Sequence, residues 1–588
     1  MQSSPQGLLA ELQPATKRAI VFIATIQGVL LLGMHELLVR EWWPATSIPL
    51  RTLWYTLALT VPTAIVLLIR DLRDRRLWLM IAAYAVLLVP AALYTGSQYL
   101  PEHHTQGFRL FATYALSQAA IWFVVTYLID LKLDGESLRH SRRDVCAYTW
   151  KHGLALALLG FFLGLLWTLL TLWGALFKVL DIGFFQELFQ NRRFIYPAFG
   201  LAGGFAVTVL RGQIDAVGLL ERIASALLRV LLPLLALIVL LFLCALPFSG
   251  VQLLWKAGLG TALMMWLICL MLMFVNVAFF GTQARYPVWL RLPIYLAVAL
   301  LPVYLGLCVW GISLRIGEHG WSYSRLLVVL IQAILAIFVL CYSAAVVLRR
   351  ERWLESLPPI NRIAGCAAAV LLFLTCLPLL NLEHIAARDL VARLVSGKTD
   401  VAQADYRYLR FDLDEPGYRE LTTLKASSFA AAHPVELAKM DGVLASSNRW
   451  GANVPAVAPM SPADLAKAVD VAPQTAPVPP DLLVAVAADK ANAVCFAGTG
   501  HCEVVGLDLR GDGGKAYILL TPNSGWYPVQ PVYALDGGKW RRIAGIEASS
   551  PDSRARLKHA LETGAFKLER PEFPDLVVGN QRFQVHRP

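Results

Sequence analysis

The sequence predicts an α-helical polytopic membrane protein, with about eleven transmembrane helices and a small α+β soluble C-terminal domain. Of its 588 residues, 57% are hydrophobic and 16% are charged, and the mean hydropathy is +0.56. Soluble domains carry about 25% charged residues. Apolar runs long enough to cross a bilayer recur between residues 19 and 381. From residue 383 onwards, strand-like patterns separated by glycine turns indicate a folded soluble part.

A transmembrane helix needs about 20 predominantly apolar residues, and eleven segments meet this description. They are 19–39, 53–69, 77–95, 110–129, 154–177, 195–210, 224–246, 257–280, 292–312, 326–347 and 363–381. The small residues of segment 195–210 suit the close packing of two helices. We therefore predict a transmembrane domain at 19–382, preceded by a short cytoplasmic tail at 1–18 and no cleavable signal peptide.

The positive charge lies in the hydrophobic part of the chain. Residues 1–382 carry 29 basic and 17 acidic residues, whereas residues 383–588 carry 23 and 24. Nineteen lysines and arginines fall between spans on the side of the N-terminus, and nine fall on the other side. This bias predicts a cytoplasmic N-terminus, and an odd number of spans then places the C-terminal part outside the cytoplasm. Basic residues placed between spans are typical of topology signals, so no nucleic-acid partner is expected.

Several stretches together resemble one family. They are LFKVLDIGFFQELF (176–189), LPFSGVQLLWKAGLGTALMM (246–265), YPVWLR (286–291), RIGEHGWSYSRLL (315–327), LVARLVSGKTD (390–400) and DYRYLRFDL (405–413). They resemble the bacterial inner-membrane proteins catalogued as domain of unknown function 4153, over most of residues 150 to 420. The resemblance implies a multi-pass protein of the bacterial inner membrane. It implies no particular activity.

Polar side chains inside predicted spans are candidates for function, because their burial in a bilayer is costly. His35 and Glu36 lie near the outer end of the first span. Four amides also lie inside predicted spans. Gln27 is in the first span, and Gln118, Asn276 and Gln332 are in later ones. For the amides, hydrogen bonds that tie neighbouring helices together are the simpler interpretation.

The outer loop at 180–194 predicts an amphipathic helix that lies in the membrane interface. Its apolar face consists of Phe184, Phe185, Leu188 and Phe189, and Glu187 lies on the polar face. One interpretation is a brace for neighbouring spans. The alternative is a rim that binds a lipid or glycolipid headgroup. The basic residues for that rim would be Lys178, Arg192, Arg193, Lys256, Arg315 and Arg325.

The soluble part is predicted in three pieces. Residues 383–426 form a helical juxtamembrane segment, in which Gly397 ends the first helix. Residues 427–480 form an Ala/Pro-rich linker that includes the extended tract 472–483. Residues 481–588 form a small α+β periplasmic domain, with hairpin turns at 536–538 and 579–580.

Two cysteines lie in the soluble end, within CFAGTGHC. Cys495 and Cys502 form a disulfide if this end is in an oxidising compartment; free thiols and a metal site are the alternatives. A zinc site needs four ligands, and only His501 lies nearby. The following DLRGDGG resembles a calcium loop in outline, but Arg510 occupies a ligand position, which favours a hairpin turn. No metal site and no cofactor are therefore expected.

Three classes of function remain open, since the sequence contains no recognisable catalytic motif. Transport, or the handling of a lipid or envelope component, is favoured because eleven spans exceed what an anchor requires. The alternative is a membrane-anchored sensor or scaffold that binds a protein partner through its periplasmic domain. A membrane-embedded transferase is the third class, and His35, Glu36 and Glu187 would be its catalytic candidates.

Overall fold

A computed structural model provides the structure of the protein. The residues it describes are 13–100, 107–138, 141, 143–212, 214–249, 260–279, 286–401, 404–446, 469–471, 478–488, 502–509, 514–520, 529–547, 557, 559–560, 563, 565, 576–578 and 581–583. The chain forms two compact units, Met1–Phe429 and Ala430–Pro588.

The first unit consists of helices. They are α1 (Pro14–Val39), α2 (Ile48–Leu68), α3 (Arg75–Gln98), α4 (Gly107–Leu133), α5 (Val145–Val179), α6 (Phe184–Gln190), α7 (Arg192–Gly212), α8 (Ile214–Ser249), α9 (Gly260–Phe279), α10 (Val288–His319), α11 (Tyr323–Arg349), α12 (Leu357–Thr375), α13 (Leu382–Val395) and α14 (Asp414–Lys425). A further short helix, α15 (Ser428–Ala432), follows them.

Within the described residues, ten helical stretches are long and apolar enough to cross a membrane, and the last is Tyr323–Thr375. Its 53 residues would extend about 80 Å at 1.5 Å per residue, more than twice the hydrocarbon thickness of a bilayer. A 3₁₀ turn at Arg350–Ser356 divides it into α11 and α12. Arg350 has a positive φ of 48°, and prolines follow in the first turn of α12. Counted this way, the ten stretches make eleven crossings, as the sequence predicts.

The two ends of the bundle can be told apart by side-chain contacts. Near the start of α1, Thr16 donates a hydrogen bond to the backbone oxygen of Arg70, just beyond α2. After the last crossing, Asn381 donates to the hydroxyl of Tyr94, near the other end of the bundle. We call these the Arg70 end and the Arg51 end. The chain therefore enters the bundle at one end and leaves it at the other, as an odd number of crossings requires.

Helices α1 and α7 approach closely where both carry glycine. A Cβ atom on Gly200 would lie 2.5 Å from the backbone oxygen of Ala24, and one on Gly204 would lie 2.7 Å from the Cα of Val21. Gly200 and Gly204 are one helical turn apart, which is the spacing of small-xxx-small contacts. The predicted role of the small residues in segment 195–210 is thus confirmed.

Helix α6 packs against the end of α5 through aromatic rings. The ring of Phe185 lies 4.6 Å from that of Phe177 and 5.3 Å from that of Trp173. Phe189 is buried against Trp173. Phe184, predicted on the same face, is instead 62% exposed. These contacts favour the interpretation of this segment as a brace.

Helix α13 follows the last crossing after a 3₁₀ turn at Pro378–Leu380. Its cap, Asn381, accepts a hydrogen bond from the backbone of His384 at 2.9 Å. Gly397 has a φ of 72°, and it ends the helix as predicted. A π-helical turn at Tyr408–Asp412 then leads into α14.

In the second unit, the described residues form short helices and two sheets. Its elements are α16 (Pro434–Ala445), β1 (Val469–Val471), α17 (Pro480–Ala488), β2 (Cys502–Leu507), β3 (Ala516–Leu520), β4 (Val529–Asp536), β5 (Lys539–Glu547), β6 (Leu576–Val578) and β7 (Gln581–Phe583). The first sheet has the order β1-β2-β3-β4-β5. Strands β1 and β2 are parallel and the other pairs antiparallel, whereas β6 and β7 form a separate hairpin.

The hairpin turn predicted at 536–538 is confirmed. Asp536 pairs with Lys539, so Gly537 and Gly538 form a two-residue loop. Both glycines have positive φ, 59° and 77°, as a type I′ turn requires. Strands β6 and β7 pair antiparallel, with Val578 opposite Gln581, and the turn predicted at 579–580 lies outside the described residues.

The described residues of the predicted linker at 427–480 include regular structure. They contribute α16 and also β1, whose Val469 is buried in the core beside Val504. Helix α17 begins at Pro480, inside the tract predicted to be extended. A three-residue strand has too little periodicity to be recognised in a sequence, and it becomes stable only through its pairing with β2.

Candidate functional site at the Arg51 end

A cavity of about 540 Å³ lies between α2 and α4. Its walls include Arg51, Tyr55, Phe111, Ala115, Gln118, Ala119 and Leu156. The walls are open in part, since Leu59 keeps 52% of its surface exposed. This volume falls in the usual range for small-molecule sites, about 300–1,000 Å³.

Four threonines on α2 face this cavity: Thr52, Thr56, Thr60 and Thr63. Each hydroxyl donates to the backbone oxygen four residues earlier in the helix, at 2.5 to 2.9 Å. Their donors are therefore already used within the helix. Together with the aromatic and alanine side chains, they give the cavity a predominantly apolar wall that suits hydrocarbon.

Two polar groups of the cavity are less engaged. The buried Oε1 of Gln118 has no hydrogen-bond partner within the described part of the chain, although its Nε2 contacts Cys376 Sγ at 3.6 Å. Arg51, near the start of α2, is half-buried. No carboxylate of the described residues forms an ion pair with it. The cavity thus combines an apolar wall with a cation at one end.

Buried carboxyl groups lie at the same end of the bundle, on the segments that follow the last crossing. Glu383 is in the first turn of α13 and Asp414 is the first residue of α14. Their side chains belong to residues only 3% and 2% exposed. Glu383 Oε1 and Asp414 Oδ1 have no hydrogen-bond partner among the residues described. Buried polar atoms are normally paired, so these two are candidates for contact with a ligand.

Arg109 contacts this group of acids through Asp412. The guanidinium of Arg109 donates to the backbone oxygen of Asp412, and its Nη1 lies 3.8 Å from the carboxylate of that residue. It also stacks over the ring of Tyr323, with the guanidinium carbon 4.6 Å from the ring centre. Arg109 is thus held mainly by Asp412 and Tyr323.

Burial sets the protonation of the two acids. Burial raises the pKa of Glu383 to about 8, the nearby Asp414 raises it further, and Arg109 opposes the shift. Burial also raises the pKa of Asp414, to about 6, against the effect of Arg109 and a hydrogen bond from the backbone of Leu100. At neutral pH the pair therefore carries roughly one negative charge, located on Asp414.

Tyr99 connects the acids to the cavity. Its hydroxyl lies close enough to Asp414 and to Arg51 for both charges to act on its pKa, which burial raises. Its ring lies 5.4 Å from that of Phe111, a wall residue of the cavity. The cavity with Arg51 and the buried acids lie at the same end of the bundle, and we call them together the Arg51 site.

The residues singled out from the sequence lie mainly elsewhere. Glu36 pairs with Arg40 at 3.5 Å and with Arg193 at 3.6 Å. His35 packs on the ring of Tyr196 at 5.8 Å, and its buried Nε2 has no partner within the described ranges. These residues join α1 to α7, next to the glycine contact.

Lys178, Glu187 and Arg192 are exposed, and no ion pair within the described residues joins them. Arg315 is exposed near the end of α10, and Arg325 donates to the backbone oxygens of His319 and Gly320. Lys256 lies outside the described residues. The structure does not gather these charges into one site.

Asn276 lies at the opposite end of the bundle, in a network of polar side chains. Its Oδ1 accepts hydrogen bonds from Tyr342 at 2.9 Å and from Asn361 at 2.6 Å. Asn361 also donates to the carboxylate of Asp144 at 2.8 Å. The contacts fit the predicted role of the amide, since they link α9, α11, α12 and the start of α5.

Cys502 is the first residue of β2 and is fully buried. Its predicted disulfide partner, Cys495, lies outside the described residues, as do His501 and the 510–513 part of the suggested calcium loop. The bridge therefore stays a prediction. Within the described part of the chain, no group of three or more His, Cys, Asp or Glu residues could hold a metal ion.

The residues of the Arg51 site were not recognised as a site from the sequence. The threonine spacing on α2 is a usable signal, because residues 52, 56, 60 and 63 share one helix face. Arg109 and Asp412 are 303 residues apart in the sequence. No local pattern predicts a contact over that separation.

These features define an integral membrane protein of the polytopic helical class, with a small C-terminal sheet region. The chain belongs to the family defined by a domain of unknown function, DUF4153, whose profile matches residues 56–424. This confirms the resemblance found in the sequence. The match includes the buried acids and most of the residues that line the cavity, but it begins after Arg51, Thr52 and Tyr55 and ends before the second unit. No curated protein and no solved structure is detectably similar to the chain.

Proposed function

We propose that this protein handles a membrane lipid or a lipid-linked envelope component, and that the cavity between α2 and α4 holds an acyl chain. The observation that carries the proposal is the cavity itself, which is apolar, about 540 Å³ in volume and built from membrane-spanning helices. Hydrocarbon gains free energy when it leaves water for such a wall. Arg51 supplies a cation where a headgroup phosphate would lie.

The proposed headgroup contact differs from the one suggested by the sequence alone. Arg193 is engaged by Glu36, whereas Arg51 has no carboxylate partner in the described residues and borders the cavity. Among the basic residues at this end, Arg51 is therefore the better candidate for the phosphate.

We also propose the orientation. The protein would lie in the bacterial inner membrane with its N-terminus in the cytoplasm and the Arg51 end towards the periplasm. The support is the two-to-one excess of lysine and arginine on the side of the N-terminus. In that compartment a Cys495–Cys502 bridge would form. Thiol labelling of intact cells tests both statements, and labelling of both cysteines without prior reduction would contradict them.

Blocking the cavity tests the proposed function. Ala119 and the neighbouring Ala120 are both exposed, but only Ala119 is a wall residue of the cavity. In Ala119→Trp, the indole should occupy part of the cavity and reduce copurified or added phospholipid, measured by mass spectrometry, at least fivefold. Ala120→Trp should leave lipid binding unchanged.

Equal lipid content in both variants would contradict the proposal, provided that both remain folded. Folding is checked independently by the thermal unfolding temperature. Absence of specifically bound lipid from the unmodified protein, purified in mild detergent and supplied with phospholipid, would also contradict it.

A further inference from the structure

We propose that the cavity between α2 and α4 accepts one acyl chain of about 15 carbon atoms, the length that spans it when extended, and discriminates against longer chains. This inference rests on the proposed lipid-binding function and specifies the class of chain. The residues that would set the length are Trp122, Phe123 and Leu156, all wall residues of the cavity.

Helices α2 and α4 run in the same direction, so their residues can be matched level by level. The hydroxyls of Thr56 and Tyr114, 58 residues apart in the sequence, lie 3.0 Å from each other. Towards the Arg70 end, Arg70 donates to the carboxylate of Asp130, 60 residues later. Because this separation is nearly constant, each position on α2 lies opposite a position about 60 residues later on α4.

The length of the cavity follows from this register. Its wall residues lie between 51 and 63 on α2 and between 111 and 123 on α4, which are opposite stretches. Twelve residue steps on each helix correspond to about 18 Å at 1.5 Å per residue. An extended chain of single bonds advances about 1.2 Å per bond, as the extended backbone does, so about 15 carbon atoms span the cavity.

The volume of the cavity limits it to one chain. A methylene group occupies roughly the volume of a water molecule, about 30 Å³, so the 540 Å³ of the cavity holds about 18 carbon atoms. Two chains that each span the cavity would not fit. Leu59, a wall residue with 52% of its surface exposed, marks the open side, where the second chain of a phospholipid would remain in the bilayer.

Aromatic side chains close the end of the cavity that is farthest from Arg51. The indole of Trp122 donates from α4 to the backbone oxygen of Thr60 on α2, at 3.0 Å. The ring of Phe123 packs edge-on against this indole, with the ring centres 5.2 Å apart. These contacts bridge the two helices at the level where the wall residues end.

Beyond Phe123, the space between the helices is filled by a hydrophobic core. Phe123 and Leu156, which lies on α5, both pack against this core. The core contains residues 64–69 of α2, of which Ala64 is fully buried and Leu68 is 2% exposed. A close-packed core has few voids larger than a water molecule. Carbon atoms beyond this point would therefore have to bend back or leave through the open side.

The test uses the full-length protein in mild detergent, with lysophosphatidylglycerols that carry one saturated chain of 10, 12, 14, 16, 18 or 20 carbon atoms. Native mass spectrometry should show the tightest binding at about 14 to 16 carbon atoms, and at least tenfold weaker binding at 20. Glycerol phosphate, which has the phosphate but no chain, should bind at least tenfold more weakly than the 14-carbon lipid. Equal binding of glycerol phosphate would overturn the proposal, because the chain would then contribute nothing.

Substitutions at the two ends of the cavity separate length selection from a general loss of binding. Phe123→Ala removes a ring from the closed end and should move the preferred length up by at least two carbon atoms. Phe111→Ala is the matched control, because it makes the same change at the Arg51 end of the cavity, and it should leave the preferred length unchanged. Leu156→Phe fills the closed end and should move the preferred length down by at least two carbon atoms. It keeps the proposal testable if Phe123→Ala does not fold.

Equal affinity for chains of 14 to 20 carbon atoms would overturn this inference, as would an unchanged preferred length in folded Phe123→Ala and Leu156→Phe. Ala119→Trp then shows which statement has failed. If Ala119→Trp still lowers lipid binding, the proposed function stands without the limit on chain length. If Ala119→Trp leaves lipid binding unchanged, the proposed function itself fails.

Discussion

The two ends of the membrane bundle both bury charged side chains, but they do so in different ways. At the Arg70 end, Arg70 contacts Asp130 and Asp134. Arg143 contacts the same two carboxylates, at 3.2 and 2.5 Å. At the Arg51 end, Glu383 and Asp414 keep oxygen atoms without a hydrogen-bond partner among the described residues.

The difference indicates different roles for similar residues. A polar network in which every member is paired makes a structure more rigid, whereas a partly paired one is costly unless something completes it. The pKa of Asp134 is lowered, because Arg70 and Arg143 outweigh the effect of burial. The pKa of Glu383 is raised. The ion pairs at the Arg70 end therefore hold neighbouring helices together. The carboxyl oxygens at the Arg51 end that have no partner among the described residues are instead available to a ligand.

The largest effect on stability is expected from Arg70→Ala. Removal of this guanidinium leaves Asp130 and Asp134 close together with only Arg143 between them, and the loss of one member of a buried ion pair costs about 3 kcal/mol or more. The free energy of unfolding in detergent should fall by that amount. Arg73→Ala, at an exposed position of the same loop, should change it by less than about 0.5 kcal/mol. A similar loss of unfolding free energy in both variants would mean that the ion pairs at the Arg70 end do not hold the helices together.

A smaller effect, about 2 kcal/mol, is expected from Asp134→Asn, which removes a charged hydrogen-bond partner of both arginines. Because the folded pKa of Asp134 is lowered, its contribution is present above the unfolded pKa of about 3.9. That contribution is lost as the pH falls through the folded pKa. The difference between variant and unmodified protein should therefore shrink below pH 4. Asp71→Asn, at an exposed position, should show no such trend, and a difference that is independent of pH would argue against the assigned charge.

Glu383→Gln should have the smallest effect near pH 6, under about 1 kcal/mol, since the unmodified side chain is neutral there. Between the unfolded pKa of about 4.3 and the folded pKa of about 8, the folded protein binds one proton more than the unfolded one. The stability contributed by this group therefore falls as the pH rises. The variant should lack this slope and become relatively more stable above pH 8.

The control for that slope is Glu318→Gln, because Glu318 is exposed. Its unfolding temperature should follow that of the unmodified protein from pH 5 to pH 9. If the unfolding temperature of Glu383→Gln also followed that of the unmodified protein from pH 5 to pH 9, Glu383 would be ionised at neutral pH. The two ends of the bundle would then not differ in the protonation of their buried acids.

The sequence predicts the membrane architecture well because a membrane span is a local signal. Each crossing needs about 20 apolar residues in succession, and even the glycines that bring α1 and α7 together lie one turn apart in a single segment. The break between α11 and α12 is also local, since charged residues and two prolines follow one another there.

The site is harder to predict because it depends on contacts between distant segments. The cavity lies between α2 and α4, and no residue pattern reports the distance between two helices. In the sequence, Asp412 and Asp414 lie in a polar segment that connects two helices. Only the fold places them beside Arg109. In the sequence, Glu383 likewise has the position of an ordinary acid in the first turn of a helix, and only the structure shows that it is buried.

The central claim is that the Arg51 site is completed by a lipid. The most direct test is a cryo-electron microscopy structure of the full-length protein in nanodiscs that contain phosphatidylethanolamine. The account predicts elongated density in the cavity between α2 and α4, with its headgroup at Arg51. A cavity that is closed or free of lipid density, together with direct contacts of Arg109 to both Asp414 and Glu383, would contradict it.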